Sequence, residues 1–251
     1  MNIIEKVNKT RYTLKEILED EWDVSSIADL SDNEIHKIYS IPSSKNSNLA
    51  LFGPASGCNF SLKHRKIPSH KLHIIYFNLP EVGRQNSKVT KAACEKLNNL
   101  YQSELINFED SLFIIINDTI SESLEKSFTE LNMGLQNGLQ ENGLSEEIIS
   151  EMEENDYPLE KIHFRNVHLF DINHFTNNIT KHRLVPKHIP IRNKKEIEKI
   201  LNECNCTLNQ CPIISKTEIM AKMIRLAPGD ICKIIRKSPK CGEYPFYRVC
   251  K

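Results

Sequence analysis

SLFIIIN (111–117) sets the strongest constraint on the fold. It is an unbroken apolar run far too short to span a membrane, and with LHIIYF (72–77) it has the length and β-branched character of a strand buried among other elements. Between the two runs, Val89, Ala92, Ala93, Leu97 and Leu100 recur at steps of three and four, which predicts a helix over Ser87–Leu100. After the second run Ser121 opens another helix through Leu124, Phe128 and Leu131, and HLFDI (168–172) returns the chain to the sheet. Strand, helix, strand, helix in this order implies an α/β layer whose strands are covered by helices.

Around this layer the rest of the N-terminal half can be filled in. Ile3, Val7, Leu14, Ile17 and Leu18 predict an amphipathic helix over Ile3–Asp20. Residues 42–58 read as loops around a short LALF strand, NFSLKH (59–64) as a strand, and NLPEVGRQ (78–85) as a turn. The acidic stretch 132–158, with its repeated GLQ and NGL, reads as a solvent-facing insertion, part loop and part helix.

HRLVPKHIP (182–190) marks a change of scale, and the expectation is a rigid hinge that begins a second module. Asn193 and Glu196 have capping-box spacing before Ile197, Ile200, Leu201 and Cys204, so a one-sided helix follows. Thr217–Ile224 reads as a second short helix, ICKIIR (231–236) as a strand, and YPFYRVC (244–250) as a final strand. The predicted fold is therefore α+β / α/β in two domains: residues 1–175, and a small α+β module over 176–251. A module of this size is only marginally stable alone, which makes docking on a partner plausible.

The formal net charge is zero, but the charge is not evenly spread. Residues 181–251 hold 16 Lys and Arg against 6 Asp and Glu, a net of about +10, and residues 1–180 hold 17 against 27, about −10. A basic module on an acidic one suggests an anionic partner, nucleic acid or an acidic protein surface. The N-terminus lacks the apolar core of a signal peptide, and an intracellular, reducing setting is expected. Free thiols are expected for the eight Cys. Cys204, Cys206 and Cys211 form a CxCxxxxC cluster that packing also explains, and a structural zinc site usually needs four ligands.

The motifs of the common enzyme sites are absent. There is no GxxxxGK[ST], GxGxxG, GxSxG, HExxH or HxxxH. A nuclease-type sheet would need a second acid two residues before a Lys, but SLK (61–63) has Ser61 there. Asp118 and Glu81 are the carboxylates through which a nuclease reading would be tested. No catalytic residue, no metal site and no cofactor is expected.

The C-terminal residues nevertheless form a recognisable set. They are NITKHRLVPKH (178–188), CPIISKTEIMAKMIRLAPGDICKIIRKS (211–238) and CGEYPFYRVC (241–250). This set resembles the fifth common subunit of eukaryotic nuclear RNA polymerases, whose C-terminal module also stands alone as a small subunit of archaeal RNA polymerases. The family pattern falls on His182, Leu184, Val185, Pro186 and His188; on Pro212 and Ile214; on Gly229, Lys233, Ile234 and Arg236; and on Gly242, Tyr244, Tyr247 and Arg248. The N-terminal half is collinear with the family's eukaryote-type jaw through IIYFNLPEVGRQNSKV (74–89) and FIIINDTISES (113–123), so an archaeal subunit, which lacks the jaw, is disfavoured.

The resemblance implies a noncatalytic subunit of a DNA-dependent RNA polymerase. Its module would dock on the largest subunit through His182, Leu184, Val185, Pro186, His188, Pro212, Gly229, Lys233, Arg236, Gly242, Tyr244, Tyr247 and Arg248. Its nuclease-like jaw would lie near downstream duplex DNA, with Thr119 and Ser121 in the DNA-proximal loop. The implied partners are the polymerase subunits and that DNA, with no membrane and no small-molecule substrate. The chain departs from the pattern at Glu218–Met223, Arg225, Glu243 and Glu122, and a carboxylate at Glu122 would weaken phosphate contact. Such divergence, with abundant Asn, Ile and Lys, fits a large DNA virus or a divergent protist, and hence the virion, a cytoplasmic viral factory or the nucleus. The rival expectation is a free-standing nucleic-acid-binding regulator that uses the basic module directly.

Overall fold

The computed structural model describes residues 1–40, 53–84, 88–89, 92–102 and 105–251. The LALF run and the start of the helix expected over Ser87–Leu100 lie outside the described residues. The chain divides into two compact units. One comprises Met1–Glu151 and Phe164–Asn178, the other Met152–His163 and Ile179–Lys251. Both are built from helices on a sheet, so the class is α+β.

In the first unit, β1 (Trp22–Asp23), β2 (Phe60–His64), β3 (Lys71–Tyr76), β4 (Ser111–Ile116) and β5 (Val167–Asp171) form a mixed sheet in that order. The β1–β2 and β2–β3 pairs are antiparallel, and β3–β4 and β4–β5 are parallel. A strand with parallel neighbours on both sides needs covered faces, and every residue of β4 is buried. Leu112, Ile114 and Ile116 point to one face and meet Leu97 and Leu100 of α3 (Ala92–Gln102) and Leu124, Phe128 and Leu135 of α4 (Glu122–Asn142). The Phe113 ring stands 4.8 Å from Phe170, which is 5.0 Å from Phe175 in the short turn of helix 172–175. Against that turn lies α1 (Ile3–Leu18), which buries Ile4, Val7, Leu14 and Leu18 and starts in a capping box between Asn2 and Glu5.

Two elements of this unit differ from the expectation. A helix, α2 (Asp32–Ser40), follows Ser31, whose backbone N–H and hydroxyl both donate to Glu34 Oε2 at 2.8 and 2.7 Å. The acidic stretch expected to face solvent is mostly helical, because α4 runs unbroken to Asn142 and α5 (Glu146–Glu154) follows at once. Leu135, Leu139 and Ile148 are buried, so the apolar stripe that starts at Leu124 continues through the Gly- and Asn-rich sequence.

The second unit holds a four-stranded sheet in the order β6 (Lys187–Ile191), β8 (Ile231–Ser238), β9 (Gly242–Cys250), β7 (Ile213–Ile214). The β6–β8 and β8–β9 pairs are antiparallel and β7–β9 is parallel. Alternation splits β8 between two small cores. Ile231 packs with Ile191 and with Ile197 and Ile200 of α6 (Lys194–Glu203). Cys232 and Ile234 pack with Ile214, Cys250, Leu226 and Ala221 of α7 (Ile219–Met223). Asn193 caps α6 by accepting from Lys195 N at 2.9 Å. The second half of HRLVPKHIP is strand β6, where a rigid hinge was expected: Lys187, Ile189 and Ile191 stand opposite Ile235, Lys233 and Ile231.

Candidate docking surface

The β8–β9 hairpin gathers six of the thirteen docking residues that the resemblance singles out: Lys233, Arg236, Gly242, Tyr244, Tyr247 and Arg248. In its register Lys233 faces Tyr247, Arg236 faces Tyr244, and Cys232 faces Arg248. The three-residue steps Lys233–Arg236 and Tyr244–Tyr247 therefore meet side by side. Because side chains alternate, Lys233 and Tyr247 lie on one face and Arg236, Tyr244 and Arg248 on the other. The Arg236 guanidinium sits 4.0 Å above the Phe246 ring and that of Arg248 at 5.7 Å, so two cations bracket one aromatic ring. Phe246 was not among the expected site residues. Its place between Tyr244 and Arg248, two positions from each, was the available signal.

Glycines set both ends of the hairpin. Gly229 has φ +97° and donates its N–H to Cys250 O at 3.0 Å, tying the entrance of β8 to the end of β9. Gly242, with φ +71°, makes the turn that starts β9. Pro212 precedes β7, and its carbonyl accepts from Val249 N at 2.8 Å. The Tyr247 hydroxyl is held above its ordinary pKa, chiefly by burial and then by Cys204 and the carboxylates of Glu203 and Glu196.

His182, Leu184, Val185 and Pro186 form a turn ahead of β6. Leu184 N donates to His182 Nδ1 at 3.2 Å and Val185 N to His182 O at 2.9 Å, which pushes Leu184 outward to 76% exposure. His188 lies on β6 opposite Ile234, and its ring donates to Pro186 O at 2.8 Å. Among the described residues no three His, Cys, Asp or Glu side chains are grouped as metal ligands. The Cys206 and Cys211 sulfurs are 3.6 Å apart, and burial, with the Cys206 thiol beside it, pushes Cys211 up to about 11.

Sequence reasoning missed the centre of this unit. Asp230, 3% exposed, accepts from the His163 ring (Nε2 to Oδ1) at 2.9 Å and from Ala227 N at 2.8 Å. Arg192 approaches the same carboxylate at 3.9 Å and donates to Ile224 O at 2.7 Å, while Arg225 donates to His163 O at 3.0 Å. At the surface Lys194 reaches Glu160 at 2.7 Å, and that bond holds the Lys194 amine above its usual pKa. Residues 152–163 thus belong to this unit through a buried polar network that neither hydrophobic period nor spacing discloses.

The residues expected near DNA lie in the first unit. Thr119 and Ser121 are exposed; Thr119 N donates to Asp118 Oδ1 at 2.8 Å, and Ser121 Oγ caps α4 by accepting from Leu124 N at 3.4 Å. Glu122 is in the first turn of α4, where a carboxylate complements the positive end of the helix dipole. Glu81 pairs with Arg84 at 2.8 Å on the surface.

Comparison with known proteins falls on the second unit. Residues 177–250 match the family model described as RNA polymerase Rpb5, C-terminal domain. The DNA-directed RNA polymerase subunit Rpo5 of Methanothermobacter thermautotrophicus is 45% identical over 71 residues, 28% of this chain and 91% of that protein. Rpo5 of Pyrococcus abyssi is 42% identical over 72 residues, 29% of this chain and 87% of its own length. The DNA-directed RNA polymerases I, II, and III subunit rpabc1 of Dictyostelium discoideum is 37% identical over 73 residues, 29% of this chain and 36% of its own length.

Proposed function

This chain belongs to the family of the fifth common subunit of RNA polymerases, and from that membership we propose that it serves a multisubunit DNA-dependent RNA polymerase without catalysing the reaction itself. Residues 176–251 dock on the largest subunit and support assembly. Residues 1–175 act as a jaw beside downstream duplex DNA, with Thr119 and Ser121 on the exposed loop nearest to it. Polymerisation belongs to the other subunits, and the chain works in an intracellular polymerase complex. The observation that carries this reading is the β8–β9 hairpin: its register sets Lys233 and Arg236 against Tyr247 and Tyr244, within the stretch shared with the Rpo5 relatives.

The test is affinity purification of the tagged full-length chain from its native source, followed by mass spectrometry. The largest polymerase subunit is expected in at least the amounts of the smaller subunits. Its absence overturns the proposal. A second reading, a free-standing nucleic-acid-binding regulator, draws on the charge of residues 181–251, about +10. It predicts direct binding of duplex DNA that weakens steeply with salt, whereas the subunit reading predicts weak DNA binding alone.

A further inference from the structure

The sheet of the second unit is unfinished along one side. β7 pairs only with Val249 and Cys250, so residues 242–248 of β9 have β8 on one side and no strand on the other among the described residues. Which groups face the open side follows from two bonds. Val249 N donates toward β7, to Pro212 O at 2.8 Å, and Cys250 N donates the opposite way, to Asp230 O at 2.9 Å. Backbone groups along a strand alternate sides, so Glu243 and Tyr247 turn both N–H and C=O to the open side and Pro245 turns its C=O there. Pro212 also explains why β7 stops: the next ladder bond, toward Tyr247 C=O, would need the N–H that proline lacks.

Long open edges are normally blunted by charge, proline or shortness. Pro245 blunts this one at a single position, which disfavours casual pairing and leaves Glu243 and Tyr247 competent. The hairpin that carries this edge is cationic. From Ile231 to Cys250 it holds Lys233, Arg236, Lys237, Lys240 and Arg248 against Glu243 alone. Arg248 stands on β9 itself, and Arg236 reaches from β8 over the Phe246 ring of β9. Arg248 is only weakly engaged, Nη1 reaching Ile213 O at 3.4 Å while its buried Nε has no hydrogen-bond partner among the described residues. Leu184 and Ile213 add exposed apolar surface in the same unit, 76% and 53% exposed.

We propose that the open edge of β9 receives an extended, acidic segment of the polymerase subunit on which the module docks. That segment adds as a strand in line with β7, its backbone bonding Glu243, Pro245 and Tyr247 and its carboxylates meeting Arg236 and Arg248. Main-chain bonds supply affinity in this mode and side chains supply selection. The proposal rests on the subunit reading above and names the chemistry of the partner at that site.

The experiment uses the full-length chain co-expressed with the large polymerase subunits of its native source, read by amide hydrogen exchange and by recovery of the largest subunit. On assembly the Glu243 and Tyr247 amides are expected to change from fast to protected, while those of Tyr244, Phe246 and Arg248, which face β8, are protected throughout. Glu243→Pro removes one outward donor at an edge position where proline is tolerated, and recovery should drop roughly tenfold, the effect of about one hydrogen bond. Glu243→Ala keeps the donor and should recover as the parent does, and Arg236→Glu with Arg248→Glu should lower recovery further. Recovery of the largest subunit with the Glu243 and Tyr247 amides still exchanging as in the free chain overturns strand addition and leaves the subunit reading standing. Failure of the unaltered chain to recover any polymerase subunit removes both. Protection of the same amides by duplex DNA alone overturns the choice of a protein partner.

Discussion

Asp230 joins stretches of the second unit that are far apart in sequence: the His163 ring, the Arg192 guanidinium and the Ala227 amide all converge on its carboxylate. A buried carboxylate that loses a hydrogen-bond partner costs several times what an exposed pair does. His163→Ala is therefore expected to destabilise this unit by about 3 kcal/mol. Chemical denaturation of the full-length chain, followed by a probe in β8–β9, checks it. The cysteines give an alkaline signature. Burial pushes Cys58 and Cys232 up to about 11 and Cys250 up to about 12, from an ordinary 9.0. Above pH 9 the unfolded thiols lose protons that the folded ones keep. Stability is therefore intact below about pH 9 and falls as pH rises toward 12. Melting temperatures across that window should fall less steeply in Cys250→Ala. None of these partners was legible in sequence, because a lone His in an acidic stretch and an Asp in a PGD turn carry no periodic signal, whereas Lys233, Arg236, Tyr244 and Tyr247 were found through their matched spacing.

At the scale of elements, legibility followed periodicity. β3, β4, β5, α1, β8 and β9 announce themselves as apolar runs or one-sided stripes, and each lies where those patterns place it. β1, β6 and β7 do not: β1 and β7 have two residues each and β6 carries Lys187, His188 and Pro190, so ladder bonds with distant partners fix them. Gly134, Gly138 and several Asn weaken the local propensity of α4, so its pattern predicts only the first part of the helix. Tertiary burial of Leu135 and Leu139 overrides them. A Cβ at Gly134 would meet nothing within 4 Å. Gly134→Ala should then stabilise the first unit by about 0.5–1 kcal/mol, the usual propensity gain in a helix interior, visible as a higher melting temperature. A fall instead would mean that helix α4 depends on its glycine for something other than propensity.

Over the whole molecule, the charge division and the division into units do not fall at one point in the chain. The positive excess belongs to residues 181–251, but the second unit also takes in the acidic residues 152–163, among them Glu153, Glu154 and Glu160. A single cut between Asn178 and Ile179 leaves residues 152–163 on the N-terminal fragment while their partners Asp230, Arg225 and Lys194 remain on the other. The two fragments should co-elute on size exclusion and separate only in denaturant, and His163→Ala should weaken that association. Elution as two separate species in buffer would show that the Asp230 network is not sufficient to hold them. Composition showed the opposed charges; it had no means of showing that the chain leaves a unit and returns to it.

The placement of residues 152–163 also bears on how the chain is made. His163 leaves the ribosome 67 residues before Asp230. At roughly 5–20 residues per second, it waits on the order of 3–13 s for its partner. During that interval β5 emerges and the sheet of the first unit can close. A synonymous-codon pause placed after residue 178 would lengthen the wait without changing the product, so the timetable of synthesis, as well as the sequence, bears on how reliably the second unit is completed.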